Sequence, residues 1–336
     1  MLSQVSLAAY TTFKTGGPAR YFVTVTTVDE LKAAVVWARA QQLRFFVLGG
    51  GSNVLAADEG YDGLVILIKL QGREYTTVSE TEVQATFAAG EVFDEVVEDT
   101  AVRGLWGLEN LSAIPGTVGA TPVQNVGAYG VEVADIVLSV TVFNCDTLST
   151  QMLDVADCGF TYRDSVFKRA KNQTYIITAV TFALSTQPRP QLSYSDLQAL
   201  QSEPNLTPGR VRQHVAAIRA GKFPDWTVVG TAGSFFKNPI VPTALAHDLQ
   251  QKYPTLPTYV AGADTLKVSL GFILDKICGL KGFKKNHIRL YENQALVVVA
   301  ESGATTTDVR AFASDVARIV FEKTNIVIEH EVTFVE

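Results

Sequence analysis

The run Ile114-Pro115-Gly116-Thr117-Val118-Gly119-Ala120-Thr121-Pro122-Val123-Gln124-Asn125-Val126-Gly127-Ala128-Tyr129-Gly130 constrains the fold of this chain more than any other stretch. It holds four glycines and two prolines without a single charge, and it sits mid-chain between two well-patterned regions. A linker would be polar and charged, whereas this run is apolar and small, so it packs against something. Glycine lets the backbone reach positive φ and lets a ligand approach the main chain, whose N–H groups can cradle phosphate oxygens. On physics alone the run is either a binding loop for an anionic cofactor or a tight connection between strands.

With 336 residues, the chain suggests two or three domains. Its 47% hydrophobic content is ample for their cores, and its net charge of −6 argues against nucleic-acid binding, whose footprint is basic. The three cysteines, Cys145, Cys158 and Cys278, are too scattered for a disulfide framework or a metal pair. The first cation is Lys14, so no basic segment precedes an apolar core as in a signal peptide, and no apolar run approaches the ~20 residues of a membrane span. The expectation is a soluble protein of a reducing compartment, the cytoplasm, without nucleic-acid partners or membrane insertion. The Asn-x-Ser/Thr matches at Asn110, Asn172 and Asn205 then carry no meaning as glycosylation sites.

Residues 21–25 read as a strand, and Thr27-Val28-Asp29-Glu30 as a capping-box start for a helix reaching about Gln42. Phe45–Leu48 is a short apolar strand running into Gly49-Gly50-Gly51-Ser52-Asn53. Strands are expected over 63–70 and 82–89 and a helix over 92–102, which makes the opening region α+β. Beyond the glycine run, 133–143 and 174–184 alternate as strands around the polar turn Gly159–Ser165. Gln187-Pro188-Arg189-Pro190 is the expected domain boundary. Thr207 and Pro208 begin a helix to about Ala220, with further helices near 242–252 and 268–277 and a Pro/Tyr-rich loop over 253–262 between them. Strands at 286–290 and 295–300 lead to a helix over Thr305–Lys323 and a final strand, Ile326–Val335.

Familiar nucleotide motifs are missing. Gly49–Val54 does not fit GxGxxG, no GxxxxGK[ST] occurs, and Ser234 in Ala-Gly-Ser-Phe-Phe lacks the second glycine of a GxSxG elbow. The four histidines show no HExxH spacing, so no metal is expected. What remains is two glycine loops, an isolated Arg163, an isolated Ser234, and carboxylates on the last strand. Each has a plainer account. Arg163 fits an ion pair in the neighbourhood of Asp164, Ser234 a helix cap, Glu331 a water-facing strand edge, and Lys281, Lys284, Lys285 and Arg289 a solvated loop face.

Taken together, the motifs resemble the UDP-N-acetylenolpyruvoylglucosamine reductase family of flavoenzymes. The matching pieces are Thr12-Phe13, Val47–Leu55, Ile114–Gly130 with Glu132, Tyr162–Ser165, Gly233–Pro239, Asn293–Leu296 and Glu329–Val332, in the family's order along almost the whole chain. The Tyr253–Tyr259 segment resembles the loop of the family's longer subtype. The resemblance implies an α+β fold: a two-subdomain FAD-binding domain of the vanillyl-alcohol oxidase / p-cresol methylhydroxylase type over 1–190, split near 70 and joined by 326–336. A substrate-binding domain would span 207–325.

In that family the two loops hold the FAD pyrophosphate on main-chain N–H groups, which puts Gly49, Gly50, Gly51, Ser52, Asn53, Pro115, Gly116, Gly119, Gln124, Asn125, Gly127 and Ala128 at the cofactor. No histidine precedes His214, so no histidyl link to flavin is available within the flavin domain and FAD is expected to be non-covalent. The implied chemistry is reduction of UDP-N-acetylglucosamine enolpyruvate by NADPH, with hydride passing from the flavin to the vinyl carbon. Arg163 would hold the carboxylate and stabilise the growing enolate, and Glu331 would face it, most useful when protonated. Ser234 would donate the proton to the adjacent carbon. Tyr194, Lys222, Asn238, Tyr259, Lys267 and Gln294 match positions that contact the UDP-sugar. Thr11 and Thr333 depart from the family pattern, the second where an arginine is common. The expected assembly is a monomer or weak oligomer.

Overall fold

Two capping boxes set the ends of two principal helices. In the computed structural model, which describes residues 1–169 and 174–336 and so leaves Asn172 outside the described residues, Thr27 and Glu30 exchange side-chain-to-backbone hydrogen bonds at the start of the helix Val28–Ala40. Thr305 and Asp308 do the same for Thr306–Thr324. Each such cap satisfies otherwise orphaned N–H groups and is worth about 1 kcal/mol. Leu31, Ala34, Val35 and Ala38 form the buried stripe of the first helix. Val309, Phe312, Ala313, Val316 and Val320 do so in the second.

The described residues divide into two compact units. The first comprises Met1–Val5, Ala19–Gly51 and Asp62–Ala220. Its four-stranded sheet has the order Leu2–Ser6, Pro18–Val25, Tyr61–Ile68, Phe45–Leu48, the last two parallel with Phe45 opposite Leu64. A five-stranded antiparallel sheet follows, in the order Ser149–Asp154, Val137–Asn144, Tyr175–Ser185, Glu82–Ala88, Arg73–Thr77. Glu82–Ala88 buries alternate residues, as a strand with one face on the core should. One core, including Leu64, Ile66, Phe87, Phe93, Val97, Val140 and Phe182, serves both sheets and the helices Val28–Ala40 and Phe93–Val102.

The second unit comprises Ser6–Pro18, Ser52–Tyr61 and Gly221–Glu336. Segment 52–61 belongs here because Val54–Ala56 pairs in parallel with Thr333–Val335. Asp58 accepts N–H bonds from Thr306 and Thr307 at 2.8 Å each and the Thr307 hydroxyl at 2.7 Å, adding a second cap to the helix Thr306–Thr324. Burial alone would raise the Asp58 carboxyl, but these bonds outweigh it and hold it below the usual carboxylate range. Close approach demands glycine at Gly17 and Gly60, where a Cβ would fall 2.1 Å from the Asp58 carbonyl oxygen and 2.0 Å from that of Pro18.

Three expectations are corrected. The loop expected over 253–262 contains a strand, Thr258–Gly262, paired with Thr265–Val268. The helix expected over 268–277 is a short turn, Leu270–Phe272, that widens into a π-helical segment, Ile273–Ile277. The final strand is confined to Thr333–Val335, with His330 making an isolated bridge before it. Among the described residues no helix is long and apolar enough to cross a membrane.

Candidate active site

In the first unit the two glycine loops meet backbone to backbone. A Cβ on Gly50 would lie 2.7 Å from the Gly116 Cα, and one on Gly49 would lie 2.6 Å from the Thr117 hydroxyl oxygen. Gly119 packs as tightly, its Cβ position 2.6 Å from the Cβ of Ala89. Those glycines are therefore required by packing before any ligand is considered, which is what the reading as a tight connection asks of the run. Asn125 is buried, with its amide donating to Glu132 at 2.7 Å and its Oδ1 accepting the Ala134 N–H at 3.0 Å. Pro115, Gln124, Gly127 and Ala128 stay partly exposed along the same run.

The Asp164 carboxylate is held by Arg169 at 3.3 Å, while Arg163 reaches the main chain of the second glycine loop. Its guanidinium donates to the carbonyls of Asn125 at 3.2 Å and Gly127 at 2.8 Å, bracing the second glycine loop. The residue adopts φ 55° in a tight turn bridged by Thr161 and Asp164, a conformation uncommon for a residue with a Cβ. Such strain is typical of functional positions held by their surroundings. Tyr194, in the same unit, is half-exposed and meets Tyr129 edge-on at 5.3 Å.

In the second unit the other two residues expected at the reaction lie on paired segments. Ser234–Lys237 runs between two neighbours. On one side Phe235 N–H donates to Leu296 O at 2.8 Å and Ser234 bridges Val297. On the other, Glu331 N–H donates to Phe235 O at 2.8 Å and Lys237 N–H to Glu329 O at 3.0 Å. Glu331 is thus bonded to Phe235, the residue that follows Ser234, with Ser234 half-buried and Glu331 buried. The plainer accounts fall away. Ser234 caps no helix, and Glu331 is not a water-facing edge residue. Asn53 belongs to the same group, its amide donating to Glu331 O at 3.2 Å and its carbonyl accepting Thr333 N–H at 3.0 Å. Ser52 precedes it in this unit, half-buried.

Sequence reasoning gave His330 no role. Its ring stacks on Phe236 at 5.5 Å and meets Phe235 and Phe334 edge-on, an aromatic cluster beside Glu331. Burial and the Arg310 charge lower its affinity for a proton.

Of the expected sugar-nucleotide residues of this unit, two are in direct contact. Tyr259 and Lys267 are direct cross-strand partners, the ammonium 5.8 Å from the ring centroid. Asn238 accepts the Leu270 N–H at 2.9 Å, and Gln294 lines a cavity of about 250 Å³ with Ser269, Gly271, Lys276 and Asn293. Lys222 closes the helix Pro208–Lys222. The cluster at 281–289, expected as a solvated loop face, lies largely on the paired short strands Lys284–Lys285 and Ile288–Leu290, with Lys281, Lys284, Lys285 and Arg289 all matched to carboxylates. Cys145 and Cys158 are pushed up to about 11 by burial, which makes them poor nucleophiles.

Residues 19–148 match the family model described as FAD binding domain, and 225–335 match that of the UDP-N-acetylenolpyruvoylglucosamine reductase C-terminal domain. The chain is therefore, by class, a two-part flavoprotein oxidoreductase. UDP-N-acetylenolpyruvoylglucosamine reductase of Neisseria gonorrhoeae is 40% identical over 98% of this chain and 95% of its own length. The Bacteroides fragilis protein of that name is 37% identical over the full length of both. The crystal structure of the Thermus caldophilus enzyme matches with a TM-score of 0.69 at 27% identity, covering 100% of this chain and 99% of that one. The chain belongs to the UDP-N-acetylenolpyruvoylglucosamine reductase family.

The loops of the first unit fit FAD on their chemistry. They present small, uncharged, partly exposed residues whose backbone approaches are too close for any side chain, the kind of surface on which main-chain N–H groups can meet a pyrophosphate.

Proposed function

We propose that this protein reduces UDP-N-acetylglucosamine enolpyruvate to UDP-N-acetylmuramate with NADPH, in the synthesis of peptidoglycan precursor, acting in the cytoplasm as a monomer or weak oligomer. The observation that carries this reading is the main-chain bond from Glu331 to Phe235, the residue next to Ser234, in a chain of this family. When bound, FAD supplies the means of taking hydride from NADPH and giving it to the substrate. Gly49–Gly51 and Ile114–Ala128 hold the cofactor.

Hydride addition to the vinyl carbon puts negative charge on its neighbour, delocalised into the carboxylate. A guanidinium is a planar fork of N–H donors whose charge suits that enolate, and this is the role of Arg163. Glu331 hydrogen-bonds the substrate. Ser234 gives its hydroxyl proton to the carbanion-like carbon, a base strong enough to take it. Tyr194, Lys222, Asn238, Tyr259, Lys267 and Gln294 bind the sugar nucleotide, the lysines facing its diphosphate.

One stopped-flow experiment tests the reading. The purified protein should be yellow, NADPH should bleach it, and the enolpyruvyl sugar nucleotide should restore the colour without oxygen. Fast recovery by oxygen alone, with no response to the sugar nucleotide, would instead make it an oxidase of a hydroxy acid.

Arg163→Lys keeps the charge but loses the fork. Since one ammonium cannot reproduce the paired bonds to Asn125 and Gly127, we expect anaerobic reoxidation by the sugar nucleotide to slow by about 10²-fold or more and flavin to be held less tightly. A change under threefold in both would remove Arg163 from the proposed role.

A further inference from the structure

Ala113 is the residue immediately before the glycine run, and it adopts φ 57° although it carries a Cβ. A left-handed residue of this kind is disfavoured in population by roughly tenfold or more, and glycine or asparagine would be the ordinary occupant. Both backbone polar groups of Ala113 are taken by side chains of opposite charge. Its N–H donates to Asp94 Oδ1 at 2.5 Å, and its carbonyl accepts from Arg219 Nε at 3.1 Å.

The two clamping side chains are themselves held. Asp94 lies in the first turn of the helix Phe93–Val102 and receives both terminal nitrogens of Arg212, at 2.5 and 3.2 Å. Arg212 and Arg219 project from the helix Pro208–Lys222. Arg219 also interacts electrostatically with Tyr129, and its burial pushes its guanidinium pKa down. Tyr129 is the penultimate residue of the run, again at positive φ (50°), and its carbonyl accepts from Asn110 at 2.9 Å. Arg219 therefore holds the residue before the run begins and interacts with the one before its last. None of this is needed to bury apolar surface, since Asp94, Arg212 and Arg219 are each only partly buried.

We propose that Asp94 and Arg219 are positioning residues for the cofactor: they hold Ala113 in its left-handed conformation and so keep the run from Ile114 to Gly130 in the shape that receives FAD. The proposal rests on the flavoenzyme reading for its ligand, though not for its geometry. Neither residue touches the reacting atoms in this account. Their effect is transmitted by one strained peptide, which makes a specific rescue available. Glycine at position 113 takes φ 57° without the Cβ penalty, so it should relieve the need for the clamp.

The test uses the full-length protein with its flavin bound, and reads flavin release after dilution as recovery of free-flavin fluorescence. Asp94→Ala and Arg219→Lys should each release flavin about tenfold faster than wild type. Adding Ala113→Gly to Asp94→Ala should bring release back to within about threefold. Unchanged release in both single variants would overturn the proposal. So would a faster release that Ala113→Gly leaves uncorrected, because the charged pair would then act through general folding. A second arm needs no flavin. Amide hydrogen exchange over residues 114–130 in the flavin-stripped chains should be faster in Asp94→Ala and slower again in the double variant. Equal exchange in all three would also sink the clamp. Should the wild-type chain hold no flavin, the flavoenzyme reading fails, and the exchange arm still decides the clamp.

Discussion

Ser234→Ala is expected to leave reduction by NADPH within a few-fold of wild type and to slow anaerobic reoxidation by the enolpyruvyl sugar nucleotide by roughly 10²–10⁴-fold, the usual worth of a positioned proton donor. The asymmetry follows from where a proton is needed. Accepting hydride from NADPH requires no proton at a substrate carbon, whereas completing the lactyl product does. The structure makes this substitution unusually clean. Segment 234–237 is held on both sides through main-chain groups, with Phe235 bonded to Leu296 and Glu331 and Lys237 bonded to Glu329. Phe235 and Phe236 anchor it in the core at 0% and 1% exposure. Removing one hydroxyl disturbs none of these. Stopped-flow traces of the two half-reactions decide the matter. Equal loss in both would mean that Ser234 supports the cofactor site and donates no proton.

What the sequence reveals of this fold tracks how local each determinant is. The capping boxes at Thr27/Glu30 and Thr305/Asp308 are contained within four residues, and both helices start where those residues predict. Strands with a buried face, such as Glu82–Ala88, announce themselves by alternation. Thr258–Gly262 does not, because it is almost wholly exposed and its pairing with Thr265–Val268 depends on a turn rather than on a hydrophobic face. Leu2–Ser6 is missed for the same reason, being an exposed edge strand. The end of the chain misleads in the opposite direction. Ile326, Ile328 and Val332 are buried as a strand pattern requires, yet the ladder forms only at Thr333–Val335, where Val54–Ala56 is available as a partner.

The candidate site divides along the same line. Gly49–Gly51, Ser234 and Glu331 stand in short motifs that a family resemblance can carry. The ion pair first expected for Arg163 came from its neighbour in sequence, whereas its partners, Asn125 and Gly127, lie 38 and 36 positions away. Ala113, Asp94 and Arg219 form no motif at all. Nothing in their spacing connects them, and only the folded chain shows two opposite charges closing on one peptide.

Gly50→Ala should produce a folded protein that cannot keep its flavin. Gly50 is exposed, and exposure would ordinarily predict a substitution of little consequence. The obstacle is the neighbouring loop. A Cβ at this position would stand 2.7 Å from the Cα and 3.1 Å from the carbonyl carbon of Gly116, separations that real Cβ atoms do not tolerate. Backbone cannot rotate aside as the tip of a long side chain could, and Gly116 is itself at φ 118°, where it has little freedom to adjust. The two loops must therefore part. Overpacking of this kind costs about 1–3 kcal/mol, to be borne by stability, by the loop geometry, or by both. Because Gly50 is exposed and Gly116 only partly buried, the loop geometry at their contact should give first, and a cofactor gripped through main-chain N–H groups is sensitive to shifts of a few tenths of an ångström. We expect flavin release to accelerate about 10–100-fold, equivalent to about 1.4–2.8 kcal/mol, with a smaller loss of melting temperature in the flavin-free protein. Gly209→Ala is the control: it lies in the helix Pro208–Lys222 with nothing within 4 Å of its Cβ position, so helix propensity makes it neutral or stabilising. If Gly50→Ala retains flavin as firmly as Gly209→Ala does, the contact between the loops plays no part in holding the cofactor, and the grip must be sought elsewhere on the run.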